Sequence, residues 1–540
     1  GAAAWGLNVE RWVARERLSL LWSSPSLDSA VIDLSRAGEL AGLAALEQGL
    51  GLSLVPYALA RAVDDRERGR RGGDADAGGE LYYNLTPQLL GAVTLNTDFA
   101  ETEVDDLVAN FTRFPLFFPE KRGFFLEGSN QFEFGLGLSE VFLPFYSRRV
   151  GLFAGRLVPI AGGAKLLGRS GRAGVALLDV ETRSAPVAPA ANLFAGRFTW
   201  DVGDRLRLGV VGTNGDSNGR ADNSLAGVDA VWRTSTFRGD KNFFVGGWAA
   251  GTRSNPELAG QRYGYGLKVD YPNDLWDVAF TFAELGDALD PALGFLPRRG
   301  VRRYAGGGAF QPRPRGTLGT HVRQLFFELF PTVVTDLGDR TESWEIFTAP
   351  VNVRLQSGDR FEVNWMPQYE RLDEPFEIAD GVVIRPGAYR FDRYRLEVQS
   401  AEHRALVGGF TWWLGPFFHG RLDELTTFAN WTSPSGVLAV ETTWQRFVGD
   451  LPAGDFDFSL TTLRTDVALP REAVLSTLVQ YDTAEEALGL NLRFRWTLRP
   501  GADLFVVWNR GWRGDAGDGS SSLRPRSDGL TAKLRWTLRR

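Results

Sequence analysis

The sequence predicts an all-β protein, a large antiparallel transmembrane β-barrel of about 22–26 strands with an inward-folded N-terminal plug-like segment. Three observations carry that expectation. Apolar and polar residues alternate with period two over most of residues 158–540, in segments of about 10–14 residues. The composition suits strands and turns, with 63 Gly, 17 Trp, 37 Phe and 12 Tyr against a single Met, Met366. No apolar run reaches the roughly 18–20 residues of a membrane helix, whereas a membrane strand hides its apolar surface on alternate positions. A soluble sandwich or propeller also alternates. The long and short connections and the aromatic strand ends favour the barrel.

The elements follow in chain order. Residues 1–24 hold two strand-like pieces, 5–9 and 18–22, and read as the tail of a preceding β-domain; the barrel is assigned to residues 25–540. Residues 41–50 fit a short helix or coil and 52–63 a strand. Residues 66–79, rich in Gly, Asp and Arg, read as a loop. Residues 80–96 resemble a hairpin turning at Pro87. Further on, Tyr263, Tyr265, Leu267, Val269 and Tyr271 alternate with polar or small residues. After a turn at Pro272, the sequence Trp276, Val278, Phe280, Phe282 repeats the pattern. Leu490 to Leu498 and Leu530 to Leu538 alternate in the same way, with arginines on the polar phase. The phase slips between Tyr389, Phe391 and Tyr394, Leu396, Val398, which reads as a β-bulge near Asp392 and Arg393.

Asp98, Glu101, Glu103, Asp105 and Asp106 crowd five carboxylates together, followed by Arg113, Glu120, Lys121, Arg122 and Glu127. Phe114, Phe117, Phe118, Phe124 and Phe125 interrupt them, which is too aromatic for a solvated linker. Residues 98–135 therefore read as a plug or lumen segment whose charges pair with lumen arginines, with Arg148 and Arg149 as further candidates. Such a segment can gate or select a solute, as rings of charge do in channels, or simply fill the lumen and fix barrel closure. A calcium site among these carboxylates lacks the EF-hand glycine and the spacing of its final glutamate. A second charged feature is a basic loop. Residues 291–327 contain no acidic residue but carry Arg298, Arg299, Arg302, Arg303, Arg313 and Arg315, suited to lipopolysaccharide phosphates, to an acidic solute, or to plain solvation.

Other chemistry is sparse. With no cysteine, thiolate metal sites, disulfides and cysteine nucleophiles drop out. The three histidines, His321, His403 and His419, have no metal-binding spacing, and a net charge of −6 disfavours nucleic acid. No nucleophile elbow or phosphate loop stands between a strand and a helix. The expectation is a protein that is not an enzyme, with no cofactor and no metal.

Residues 93–128, VTLNTDFAETEVDDLVANFTRFPLFFPEKRGFFLEG, together with FYSRRVG at 145–151, PIAGGAKLLGR at 159–169 and LGFLPR at 293–298, carry a resemblance. The chain resembles the uncharacterised outer-membrane barrel domain that follows a family-nine-like carbohydrate-binding domain in many Gram-negative bacteria. Residues 5–24 resemble the end of that sugar-binding domain. The resemblance implies a place in the bacterial outer membrane, with lipid, lipopolysaccharide, a saccharide and envelope proteins as partners, and names no activity. The functional expectation is passage or surface handling of a solute, a saccharide among the candidates. The alternatives are a scaffolding barrel without an open pore and, third, an envelope carbohydrate-active enzyme.

Overall fold

The structure, a computed structural model, describes residues 4–13, 18–23, 31, 37–42 and 50–540, apart from 68, 100, 138–140, 154–155, 218–221 and 515–522. Twenty-four antiparallel strands close into one barrel. Strands β1–β6 are Leu52–Asp65, Arg70–Thr86, Leu89–Leu95, Ile160–Ser170, Ala173–Thr182 and Asn192–Val202. Strands β7–β12 are Leu206–Asn214, Asp222–Phe237, Lys241–Asn255, Tyr263–Pro272, Trp276–Leu285 and Val301–Phe310. Strands β13–β18 are Val322–Leu325 continued by Phe327–Asp336, Thr341–Leu355, Arg360–Leu372, Gly387–Gln399, Leu406–Leu414 continued by Pro416–Phe417, and Gly420–Thr432. Strands β19–β24 are Leu438–Leu451, Gly454–Leu469, Ala473–Asp482, Ala487–Arg499, Ala502–Gly514, and Leu523–Trp536 continued by Leu538–Arg539.

Each strand pairs with its sequence neighbours, and β24 returns to β1 from Ser527↔Asp65 to Arg539↔Ser53, so the sheet leaves no edge. An even strand number puts Leu52 and Arg539 at one end, here the terminal end. The turns there are short, for instance 87–88, 203–205 and 500–501, while 96–159, 286–300 and 373–386 connect strands at the opposite, loop end.

The alternation decides which way each side chain points. On β24, Leu530 is 47% exposed, and Leu534 and Trp536 are exposed with it, while Lys533 between them is 2% exposed. On β1, Leu54 points out and Val55, Tyr57 and Leu59 point in. Tyr263, Tyr265 and Leu267 on β10 and Trp276, Val278 and Phe280 on β11 are exposed on the same outer surface. So extensive an apolar exterior on a closed sheet suits hydrocarbon, where every backbone group is satisfied within the barrel. Trp200, Trp276, Trp431 and Trp536 stand exposed near terminal-end turns, as an interfacial aromatic girdle does.

Several expectations change. Among the described residues the first strand of the barrel wall begins at Leu52. Upstream, Ala4–Leu7 pairs with Gly38–Ala41 and Val9–Val13 with Leu18–Trp22 in two small sheets separate from the wall. The inward-folding segment is the whole connection of residues 96–159, inserted after three barrel strands. Residues 66–79 are mostly strand, because Arg70 to Gly79 pair with β1 from Asp65 to Pro56 and the partner backbone overrides a poor local propensity. The bulge near Asp392 is absent, since β15 and β16 pair without a shift from Arg360↔Gln399 to Leu372↔Gly387. Tyr389 and Phe391 point inward, packed with the small hairpin Phe376–Ala379 and Val382–Ile384, while Tyr394 points outward. The apolar face changes sides along a strand of constant phase. Residues 41–50 lie largely outside the described residues.

The inward connection as candidate functional site

Residues 96–159 leave β3 at Leu95 and rejoin the wall at Ile160, where Gly162 pairs with Leu95, so the detour costs the sheet nothing. Its acidic start ties to inward-facing cations on four strands. Asp98 Oδ1 pairs with Arg61 Nη2 of β1 at 2.8 Å, and Lys533 Nζ of β24 donates to the Asp98 carbonyl at 2.8 Å and meets Glu101 Oε2 at 2.6 Å. Arg493 of β22 donates to the Glu101 carbonyl at 3.1 Å. Arg464 of β20 takes Glu103 through Nε at 3.0 Å and Asp106 through Nη2 at 3.1 Å. Asp105 turns back on the segment, pairing with Arg148 and, at 3.3 Å, with Lys121.

The chain then crosses toward the opposite wall. Phe111 packs against Phe447 of β19 and Phe456 and Phe458 of β20 at 5.1–6.2 Å between ring centres. Arg113 Nη2 reaches Glu370 Oε1 of β15 at 2.9 Å. The guanidinium of Arg298 lies 4.9 Å from the Phe114 ring.

Glu120 and Arg122 form a buried hub. Arg122 donates to both Glu120 oxygens at 2.8 and 2.7 Å, and to the carbonyls of Val150 and Ser147 at 2.6 and 2.7 Å, while the Ser147 hydroxyl donates to Glu120 at 2.6 Å. Burial pushes the Glu120 carboxyl up, but the Arg122 guanidinium and the Ser147 hydroxyl outweigh it and hold it below the usual carboxylate range. Burial pushes the Tyr146 phenol up; its hydroxyl donates to the Phe118 carbonyl.

Past the hub, apolar packing takes over. Phe124, Phe125 and Val150 join Ile160, Leu178, Val180 and Leu193 of the wall in one cluster. Phe134 and Phe142 pack on Trp248 of β9 at 6.0 and 5.0 Å. Lys165 of β4 caps the turn Gly123–Leu126, donating to the Phe124 carbonyl at 2.7 Å and pairing with Glu127 at 2.9 Å. The fully buried pair Arg197 and Asp229, at 2.5 Å, also binds the Glu133 carbonyl and the Gly135 amide. A second connection, 286–300, docks here: Leu143 and Phe295 exchange backbone hydrogen bonds at 2.9 Å, and Arg149 donates to the Gly294 carbonyl at 3.2 Å.

All the acidic residues named from the sequence, with Arg113, Lys121, Arg122, Arg148 and Arg149, thus belong to this one body. The basic loop does not hold together. Arg298, half-buried, and Arg299, exposed, sit at the end of the loop-end connection, Arg302 and Arg303 on β12, and Arg313 and Arg315 at the terminal end, beyond a strand about 33 Å long. Most of them have acids to hand that lie far off in sequence: Arg298 meets Glu342 at 2.6 Å, Arg302 meets Glu284 at 2.7 Å, and Arg313 meets Asp274 at 2.6 Å. Sequence reasoning missed the wall partners Lys165, Arg197, Asp229, Glu370, Arg464 and Lys533. One signal existed: the chain has only five lysines, and Lys165, Lys533 and Lys121 all hold this segment.

Between the segment and β1, β2, β22 and β24 lies a cavity of about 1090 Å³ reaching the terminal end, lined by Glu80, Asp98, Glu101, Glu103, Glu127, Arg493, Arg535 and Arg540 among others.

Residues 49–158 match a family described as a domain of unknown function, DUF5916. The match covers β1–β3 and the inward connection, stopping where the chain rejoins the wall. No curated protein sequence matches the chain. Among solved structures, the siderophore receptor PirA of Pseudomonas aeruginosa is similar at 8% identity and a TM-score of 0.45, over 92% of this chain and 82% of that one. The alcaligin outer-membrane receptor FauA of Bordetella pertussis follows at 9% and 0.42, over 90% and 76%. The ferric yersiniabactin uptake receptor FyuA of Yersinia pestis stands at 8% and 0.39, over 90% and 80%.

Proposed function

We propose that the chain is an outer-membrane barrel for the passage of a solute, in which residues 96–159 plug the lumen and control that passage. The observation that carries this reading is the uneven way the connection is held. Its later half is anchored in apolar clusters on β4–β9, whereas its first half is tied mainly by ion pairs to β1, β15, β20 and β24. Partly exposed ion pairs such as those of Arg464 with Glu103 and Asp106 can be exchanged for lumen water at small cost, which leaves the buried Lys533 as the strong latch. The apolar anchor of the later half cannot be exchanged, so the first half is the moving part. Long connections at one end and short turns at the other orient such barrels with the loop end outward, which directs the charged cavity to the periplasmic side. No catalytic role enters this reading.

Saccharide as the solute rests on the family resemblance and is an arm of the test. Single-channel currents are recorded from the purified chain and from a Lys533→Met, Arg464→Gln double variant, with and without oligosaccharide. Stepwise currents that lengthen in the double variant support a releasable plug, and block by oligosaccharide identifies a sugar path. Silence from both, in barrels that still migrate heat-modifiably, overturns passage and favours a scaffolding barrel. The docking of 286–300 onto the segment, a second cover at the loop end, favours that second reading.

A further inference from the structure

We infer that the lumen wall carries a binding site for a primary ammonium group, with Glu345 as its counter-charge. The site deepens the passage reading and rests on it only in that the lumen admits small solutes. A cavity of about 360 Å³ lies between residues 111–114 and the inner face of β12–β16. Thr332, Glu345, Gln368 and Phe391 line it side by side on four successive strands, in one register row. Cross-strand neighbours stand about 5 Å apart, so a hydroxyl, a carboxylate and an amide carbonyl come within reach of one small group. An ammonium group, with three donors and no acceptor, matches three acceptors.

The charges around the cavity single out Glu345. Glu370 is paired with Arg113 at 2.9 Å and Arg298 with Glu342 at 2.6 Å, so these largely cancel. The Glu345 carboxylate is exposed to the lumen and makes no ion pair or side-chain hydrogen bond among the described residues. Arg303, one row nearer the loop end on the same inner face, lies within electrostatic reach of Glu345 without forming an ion pair with it. Phe114, Phe376, Phe417 and Phe418 complete the lining beside Phe391, an aromatic bed for the hydrocarbon part of the solute whose ring faces also attract cations. The ligand class is an amine carried on an apolar or aromatic body.

Binding of phenethylammonium and of its uncharged counterpart 2-phenylethanol to the full chain in detergent is measured by equilibrium dialysis. The wild type is expected to prefer the ammonium, Glu345→Gln to lose about tenfold or more of that affinity while keeping its grip on the alcohol, and Gln368→Leu to lose several-fold. Glu257→Gln, at an exposed pair with Arg262 on the connection between β9 and β10 that does not line the cavity, is expected to change nothing. Equal binding of the two probes, or unchanged binding in a heat-modifiable Glu345→Gln barrel, overturns the site. A wild type that binds the ammonium yet never conducts leaves the site standing and removes the passage reading; one that conducts and ignores the ammonium does the reverse.

Discussion

Lys533 illustrates how one wall charge fixes the path of residues 96–159. Its ammonium is nearly fully buried against Asp98, Glu101 and the ring of Tyr57, so replacing it removes the cation that the two carboxylates share, with Arg61 still at Asp98. Lys533→Met is expected to cost the docked segment roughly 3 kcal/mol, read as protease cleavage within residues 97–122 while the barrel itself stays heat-modifiable. An uncut segment would show that the apolar anchor alone suffices. Glu120 sets the acid limit. Its folded pKa lies below the unfolded value of about 4.3, so its stabilisation is complete above that value and is lost as pH falls through the depressed folded one. Protease sensitivity of the hub is therefore expected to rise in acid below about pH 4, and Glu120→Gln to be sensitive already at neutral pH. An identical pH profile in both proteins would mean another carboxylate governs release. The acidic run itself was legible in the sequence, because five carboxylates among phenylalanines cannot stay solvated. Its partners were not, because an inward Lys533 or Arg464 looks like any polar residue on an alternating strand.

Among the elements, the strands with the cleanest alternation behave as their pattern says. On β22, Arg493 points in to the Glu101 carbonyl, which turns Leu492, Phe494 and Trp496 outward. Leu492→Arg at mid-strand is expected to destabilise the lipid-embedded barrel by roughly 2–4 kcal/mol in denaturant titrations, and a change within about 0.5 kcal/mol would place that face in water. Patterns failed where something other than lipid covers a face. At Tyr389 and Phe391 the apolar phase belongs to the lumen, packed on a loop-end hairpin, and the apparent bulge is the crossing point from one cover to the other. Arg70 to Gly79 carry no strand signal at all, and only the pairing with β1 makes them one. The connection 286–300 looked like part of a basic surface loop, yet its stretch from Ala288 to Phe295 is buried against the wall and the inward segment, because Leu289, Leu293 and Phe295 dominate its packing.

For the whole molecule, the closed antiparallel wall was readable from period two and composition, and the observed strand number falls within the expected range. That the two ends of the inward segment meet in the sheet was not, because only the long-range pairing of Leu95 with Gly162 shows it. That topology has a consequence: the segment can be removed without cutting the barrel, since its two ends are neighbours in the sheet. A chain in which residues 97–158 are replaced by a two-residue Asn-Gly turn is expected to fold into the same heat-modifiable barrel. Its single-channel conductance in a planar bilayer, compared with that of the intact chain, decides whether the segment obstructs the lumen. A several-fold larger, steadily open conductance in the shortened chain is the expected result. Conductance unchanged by the deletion, in a barrel shown to be folded, would mean that residues 96–159 do not block the path and that the passage lies elsewhere or does not exist.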